Sequence, residues 1–171
     1  RPWWADGAFA CGPSGLPLAG RPVAELAAKC GTPLYAYDRG AIRARVRELR
    51  SALQRTGLPS RVFYAMKANR FEDVLATIRA EGDLGIDACS PREVDLARQA
   101  GFVPTEISIT SSMPSNRDLE AFVASGAHAN LDSLSALARY AERVPRGTRI
   151  GLRLDPCVAA GYGLDPKLSY A

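Results

Sequence analysis

A lysine directly follows an apolar run in Phe63-Tyr64-Ala65-Met66-Lys67-Ala68-Asn69, and that placement suits carbonyl chemistry. An amine in a pocket of low dielectric is disfavoured as the ammonium ion, so its lone pair is free to attack an aldehyde and form an imine. The same placement also fits a lysine that lays its stem along apolar surface and keeps its head in water. The chain has three lysines, Lys29, Lys67 and Lys167, against abundant arginine, so Lys67 stands out by type as well as position. Behind it come Asp87, Thr110, Asp132 and Arg153, at intervals of 20, 23, 22 and 21 residues.

These residues would lie on one rim if each ended a strand of a repeated β/α unit, and the intervening sequence predicts that. Arg61–Ala65 is a strand candidate, followed by a helix over about 71–80 with Val74, Leu75 and Ile78 on one face. Leu84–Ala88 is the next strand. Its helix opens on Ser90-Pro91-Arg92-Glu93, an N-cap, a first-turn proline and a capping-box glutamate, and stops at Gly101. Strand Glu106–Thr110, helix 116–125, strand Ala127–Asn130, helix 133–143 and strand Arg149–Leu154 complete the series. Alternation of this kind predicts an α/β fold with a parallel sheet and right-handed crossovers. The even period points to the N-terminal part of a (β/α)8 TIM-like barrel with about five β/α units present, its chemistry at the C-terminal rim.

Upstream, Ile42, Val46, Leu49 and Leu53 mark a helix over 39–56, a shorter helix runs from Pro22-Val23 to Cys30 before Gly31, and Leu34–Tyr37 is a short strand candidate. The expected organisation is an N-terminal segment, 1–38, preceding a partial barrel, 39–171. Five strands do not close an eight-stranded barrel and leave an unpaired edge. The chain, ending in the loop Gly161–Ala171, is therefore expected to be incomplete, with the second half of the barrel beyond it.

Composition excludes several other classes. A chain of 171 residues, 47% hydrophobic and with net charge +4, fits an ordinary globular domain. It holds no apolar stretch near the roughly 20 residues of a spanning helix, so no membrane segment is expected. Cys11, Cys30, Cys89 and Cys157 form no C-x-x-C pair, which argues against a zinc site or a disulfide framework and for the reducing cytoplasm. A single histidine, His128, leaves little basis for a histidine metal site or a Ser-His-Asp triad, so no metal is expected. Arg43, Arg45, Arg47 and Arg50 follow one another on a helix without interleaved aromatics, a poor pattern for nucleic-acid binding.

Taken in order, Gly31-Thr32-Pro33-Leu34-Tyr35-Ala36-Tyr37-Asp38, Tyr64-Ala65-Met66-Lys67-Ala68-Asn69, Asp87-Ala88-Cys89-Ser90-Pro91-Arg92-Glu93, Asn130-Leu131-Asp132-Ser133 and Leu152-Arg153-Leu154-Asp155-Pro156 resemble the diaminopimelate/ornithine decarboxylase family of alanine-racemase-like barrels. The resemblance runs over residues 20–160. It implies pyridoxal 5'-phosphate as cofactor, Lys67 as its imine lysine, and an amino acid as substrate. It further implies a homodimer with shared active sites. Asp87 resembles the family's second-strand carboxylate beside the cofactor ring, though a strand-end aspartate that caps the next helix would look the same. Arg153 resembles the strand-five arginine at the cofactor, the alternative being a rim ion pair.

Glu93 matches a family glutamate but is already explained as a capping box, Asp132 fits an N-cap-like turn, and His128 is read as structural. The glycine-rich phosphate loop, a later histidine and a C-terminal β-domain would lie beyond residue 171. Thr110-Ser111-Ser112-Met113-Pro114-Ser115 departs from the glycine-containing turn with a lysine that the family usually has there, and Leu-Asp-Pro replaces the commoner Ile-Asn-Pro. The implied activity is decarboxylation of an amino acid, diaminopimelate decarboxylase-like. Amino-acid racemisation on the same barrel and a catalytically inactive regulatory homologue remain the alternatives.

Overall fold

A computed structural model describes residues 12, 13 and 15–154; Cys11, Cys157 and the predicted loop Gly161–Ala171 lie outside the described residues. The chain divides into two compact units, Arg1–Ser60 and Arg61–Ala171.

In the first unit, β1 (Pro17–Leu18) and β2 (Arg21–Pro22) pair antiparallel through Ala19-Gly20, both with positive φ. Two successive left-handed residues match the twist of a tight hairpin. Helices α1 (Val23–Cys30) and α2 (Arg39–Gln54) follow. Asp38 caps α2 by accepting from the Gly40 and Ala41 amides at 2.7 and 3.1 Å. The strand expected at Leu34–Tyr37 does not form, because those residues join no ladder; the short pairing of this unit is made instead by the hairpin at 17–22.

The second unit is the β/α repeat. In order it contains β3 (Val62–Ala65), a 3-10 turn (Met66–Ala68), α3 (Glu72–Ala80), β4 (Leu84–Ala88) and α4 (Pro91–Gln99). A second 3-10 turn (Pro104–Glu106), β5 (Ile107–Thr110), α5 (Asn116–Ser125), β6 (His128–Leu131), α6 (Leu134–Ala141) and β7 (Gly151–Leu152) complete it. The strands pair in parallel in the order β3-β4-β5-β6-β7. A sequential order without reversal is that of a barrel wall, whereas a doubly wound sheet reverses direction at its switch point.

The pleat sorts the side chains. Leu84, Ile86, Ala88, Ile107, Ile109, Ala129 and Leu131 are buried, together with the apolar stripes of the helices: Val74, Leu75 and Ile78 of α3, Val94 and Ala97 of α4, Leu119 and Phe122 of α5, Ala136 and Tyr140 of α6. Helix α4 packs on β4 and β5 and lies beside α5, which in turn meets α6. Each fully buried side chain of Leu or Phe size contributes about 1.5–3 kcal/mol, so this helix–sheet layer holds the unit together. Opposite, by the two-residue alternation, stand Phe63, Gly85, Asp87, Ser108, Thr110, His128, Asn130 and Gly151. That second face is largely polar.

Several boundaries differ from expectation by a residue or more, and for three the structure shows why. β5 starts at Ile107 because Pro104 opens a 3-10 turn whose Glu106 carboxylate accepts the Val103 amide at 2.9 Å. α6 starts after Ser133, whose hydroxyl accepts from the Ala136 amide. Ser133, and not Asp132, is thus the cap. β7 is two residues long against the expected Arg149–Leu154; it pairs with β6 alone, and the ladder ends as the Arg153 amide donates to Leu131 O at 2.8 Å. Among the described residues no helix is long and apolar enough to cross a membrane.

Candidate active site

The polar groups gather at the C-terminal ends of the strands. Lys67 lies in the 3-10 turn that follows β3 and is exposed. The turn is braced by its neighbours in the motif. Met66 is wholly buried, the Tyr64 hydroxyl donates to Asn69 O at 3.0 Å, and Asn69 Oδ1 accepts the Phe71 amide at 2.9 Å where α3 begins. Tyr64 and Asn69 therefore hold the backbone on either side of the lysine, which gives the run Tyr-Ala-x-Lys-Ala-Asn a mechanical sense independent of any resemblance.

Asp87 stands opposite Ala65 across the β3–β4 register, and opposite Ser108 on its other side. Its Oδ1 accepts from the Thr110 hydroxyl at 2.9 Å. Asn130 of β6 reaches back with Nδ2 to Ser108 Oγ at 2.8 Å, Thr110 Oγ1 at 3.1 Å and Ile109 O at 3.2 Å. Gly151 faces Asn130 in the register, and a Cβ there would overlap the Asn130 amide oxygen and come within 3.2 Å of His128 Nε2. Three neighbouring strands are thus tied by side chains on one face.

Cys89, two residues beyond Asp87 and half-buried, reports where the charges lie. Burial pushes its thiol above the ordinary value, the Glu93 and Asp87 carboxylates push it further, and Lys67 and Arg153 pull it back down. Glu93 is 5% exposed. Its Oε2 accepts the Cys89 amide at 2.8 Å, while its own amide donates to Ser90 Oγ at 3.3 Å and Arg70 stands 3.9 Å away. The capping box expected at Ser90–Glu93 is therefore half formed: Ser90 caps the helix, but the glutamate reaches one residue further back, to the turn that carries Cys89.

Of the residues expected at the site, Lys67, Asp87 and Arg153 stand at or just past the C-terminal ends of β3, β4 and β7, and Thr110 is tied to Asp87 by a hydrogen bond. Asp87 does not cap α4, since Ser90 does. Asn130, Ser108 and Cys89 were not singled out from sequence. Counting in twos reaches Cys89 from Asp87, Ser108 from Thr110 and Asn130 from Asp132, because that alternation selects the face.

The rim therefore presents an amine, a carboxylate whose one oxygen is held by a hydroxyl, and a guanidinium, all on parallel strand ends. That donor set suits an anionic cofactor bearing an aldehyde: the amine can attack the carbonyl, and fixed charges of both signs can orient the ring. In (β/α) barrels, catalytic and binding groups collect at this C-terminal rim.

Comparison with known proteins narrows the class. Residues 39–163 match the family described as pyridoxal-dependent decarboxylase, pyridoxal binding domain, and the chain belongs to that family, whose cofactor is pyridoxal 5'-phosphate. The chain is 40% identical over 147 residues to the diaminopimelate decarboxylase of Methanothermobacter thermautotrophicus, covering 86% of this chain and 34% of that one. The crystal structure of diaminopimelate decarboxylase from Helicobacter pylori complexed with L-lysine superposes with a TM-score of 0.63 at 26% identity, over 69% of this chain and 29% of that one. The crystal structure of diaminopimelate decarboxylase from M. jannaschii in co-complex with L-lysine gives a TM-score of 0.72 at 23% identity over 80% of this chain and 32% of that one, a likeness of fold. The chain spans about a third of the length of the relatives it matches.

Proposed function

We propose that this chain belongs to a pyridoxal-phosphate-dependent amino-acid decarboxylase of the diaminopimelate type. The observation that carries the reading is the placement of Lys67, Asp87 and Arg153 at or just past the C-terminal ends of β3, β4 and β7, in a chain that matches a pyridoxal-binding family. Lys67 would hold the cofactor through its amine, with Asp87 and Arg153 as its binding groups. When bound, pyridoxal phosphate supplies an electron sink for the pair left behind as carbon dioxide departs.

The chain's own residues prepare that chemistry. The Tyr64–Asn69 and Asn69–Phe71 hydrogen bonds fix the turn that presents Lys67. The Thr110 hydroxyl and the β4 backbone hold Asp87 one strand away. Arg153, just past β7, brings a permanent cation from the far side of the sheet. A site on strand ends keeps such groups in place more rigidly than one on loops alone.

In this reading residues 39–171 form the first part of the cofactor barrel. The substrate is a small amino acid, the complete enzyme is a homodimer with shared active sites, and it works in the cytoplasm.

Borohydride treatment of the full-length protein loaded with pyridoxal phosphate should fix the cofactor on the peptide containing Lys67. Lys67→Arg should abolish carbon dioxide release from diaminopimelate while leaving the fold intact, because a guanidinium with pKa above about 12 keeps the charge but does not act as the nucleophile. Label on Lys29 or Lys167, near-normal turnover in Lys67→Arg, or a racemised product without carbon dioxide would overturn the proposal.

A further inference from the structure

We infer that Thr110 is a positioning residue which sets the direction of the Asp87 carboxylate through a hydrogen-bond chain anchored on Asn130; the inference rests on the reading of Asp87 as a cofactor-binding group.

The direction of the chain follows from which groups can play only one role. Ile109 O, 3.2 Å from the Asn130 amide, can only accept, so the group of Asn130 that faces it is the nitrogen. The same nitrogen lies 3.1 Å from Thr110 Oγ1 and donates to it. A threonine hydroxyl has a single proton, and with one lone pair filled by Asn130 that proton points to Asp87 Oδ1, 2.9 Å away. The carboxylate accepts. The two amide protons of Asn130 are shared among Ser108 Oγ at 2.8 Å, Thr110 Oγ1 and Ile109 O, and the Asp87 carboxylate, which can only accept, fixes the Thr110 proton on itself.

The far end of the chain is held by shape. Gly151 faces Asn130 across β6 and β7, and any Cβ at 151 would occupy the place of the Asn130 amide oxygen. The amide thus lies flat against the bare glycine backbone with its nitrogen turned toward β5. All of these residues sit on paired strands, in the registers Asp87↔Ser108, Thr110↔Asn130 and Asn130↔Gly151.

Aspartate needs such help. Its terminal torsion is broad and roughly two-fold, so backbone placement alone leaves the carboxylate plane loose. One directed hydrogen bond to Oδ1 chooses the plane and leaves Oδ2 as the oxygen that Thr110 does not engage. Thr110 also opens the turn Thr110–Ser115, where this chain departs from the pattern of the family it resembles.

The test is the affinity of the full-length protein, stripped of cofactor, for added pyridoxal phosphate, read from the absorbance change on binding. Thr110→Val keeps the shape and removes the donor. It should weaken binding about tenfold, which is about 1.4 kcal/mol and at the low end for a hydrogen bond to a charged group. Thr110→Ser, which restores the donor, should return affinity to within about threefold of wild type. In an Asp87→Ala background, Thr110→Val should change affinity less than about twofold, because residues acting through one another are not additive.

An equal loss in both backgrounds, or no recovery with serine, would mean that Thr110 serves packing alone and would overturn the inference. Thr110→Ala carries the same comparison if the valine variant does not fold, as judged by its thermal midpoint. A wild-type protein that takes up pyridoxal phosphate on a lysine other than Lys67, or not at all, would instead remove the reading of the site, and this inference with it.

Discussion

Glu93→Ala offers the most direct check on the turn that joins β4 to the site. The carboxylate is 5% exposed and accepts the Cys89 amide at 2.8 Å, so its removal strips a strong acceptor from a backbone donor in a half-buried turn. A hydrogen bond with one charged partner contributes about 1.5–3 kcal/mol. The favourable placement of a negative charge in the first turn of α4 adds about 0.3–1 kcal/mol. Arg70 at 3.9 Å adds little, its side chain being 69% exposed. Desolvation of the buried carboxylate is relieved by the mutation and offsets part of the total. The net expectation is a loss of about 2–3 kcal/mol. With a urea slope of about 2–3 kcal/mol/M, the midpoint of the full-length protein should fall by about 1 M. Glu93→Gln keeps an acceptor for the Cys89 amide and should lose less than about half as much. A glutamine variant as unstable as the alanine one, or an alanine variant indistinguishable from wild type, would refute the hydrogen-bond account and return Glu93 to a role through its charge alone.

Two further outcomes are expected. Gly85→Ala should destabilise by about 1–3 kcal/mol or prevent folding, because its Cβ would stand 2.5 Å from Glu106 O and from the Phe63 ring, and the carbonyl belongs to the backbone of the 3-10 turn that leads into β5; a Gly85→Ala protein with an unchanged urea midpoint would contradict this close packing. Glu106 is held below the ordinary carboxylate range, first by the Val103 amide it accepts and then by the Arg79 guanidinium at 3.0 Å. With its value depressed in the folded state, its contribution is fully present above the unfolded value near 4.5 and is lost as pH falls through the lower folded value. Stability measured from pH 6 downward should therefore decline less steeply in Glu106→Gln than in wild type, and identical profiles would show that the carboxylate is not engaged.

Much of the fold was legible because the information is local. The stripe Val74, Leu75 and Ile78, the Ser90-Pro91 start of α4, and the glycines that end the helices each act within one or two turns of chain, and α5 at 116–125 and β4 at 84–88 appear where the pattern places them. Cap assignments were less legible. Whether Asp132 or Ser133 caps α6, and whether Glu93 closes on Ser90 or reaches to Cys89, depends on differences of one residue in backbone direction that several polar side chains satisfy equally well. The strand expected at Leu34–Tyr37 failed for a related reason, since apolar alternation supplies a strand with a face but not with a partner.

By itself, then, the sequence determined the repeat of β/α units, the order of motifs that marks the family, and Lys67 as the one lysine set at a strand end. The tertiary structure decided which polar groups meet. Asp87, Thr110 and Asn130 are about 20 residues apart along the chain, and only parallel pairing in one register puts the hydroxyl of β5 between the carboxylate of β4 and the amide of β6. A shift of that register by a single residue would send each side chain to the opposite face, and the preference that prevents it comes from the buried layer of Ile86, Ile109 and Leu131 against the helices.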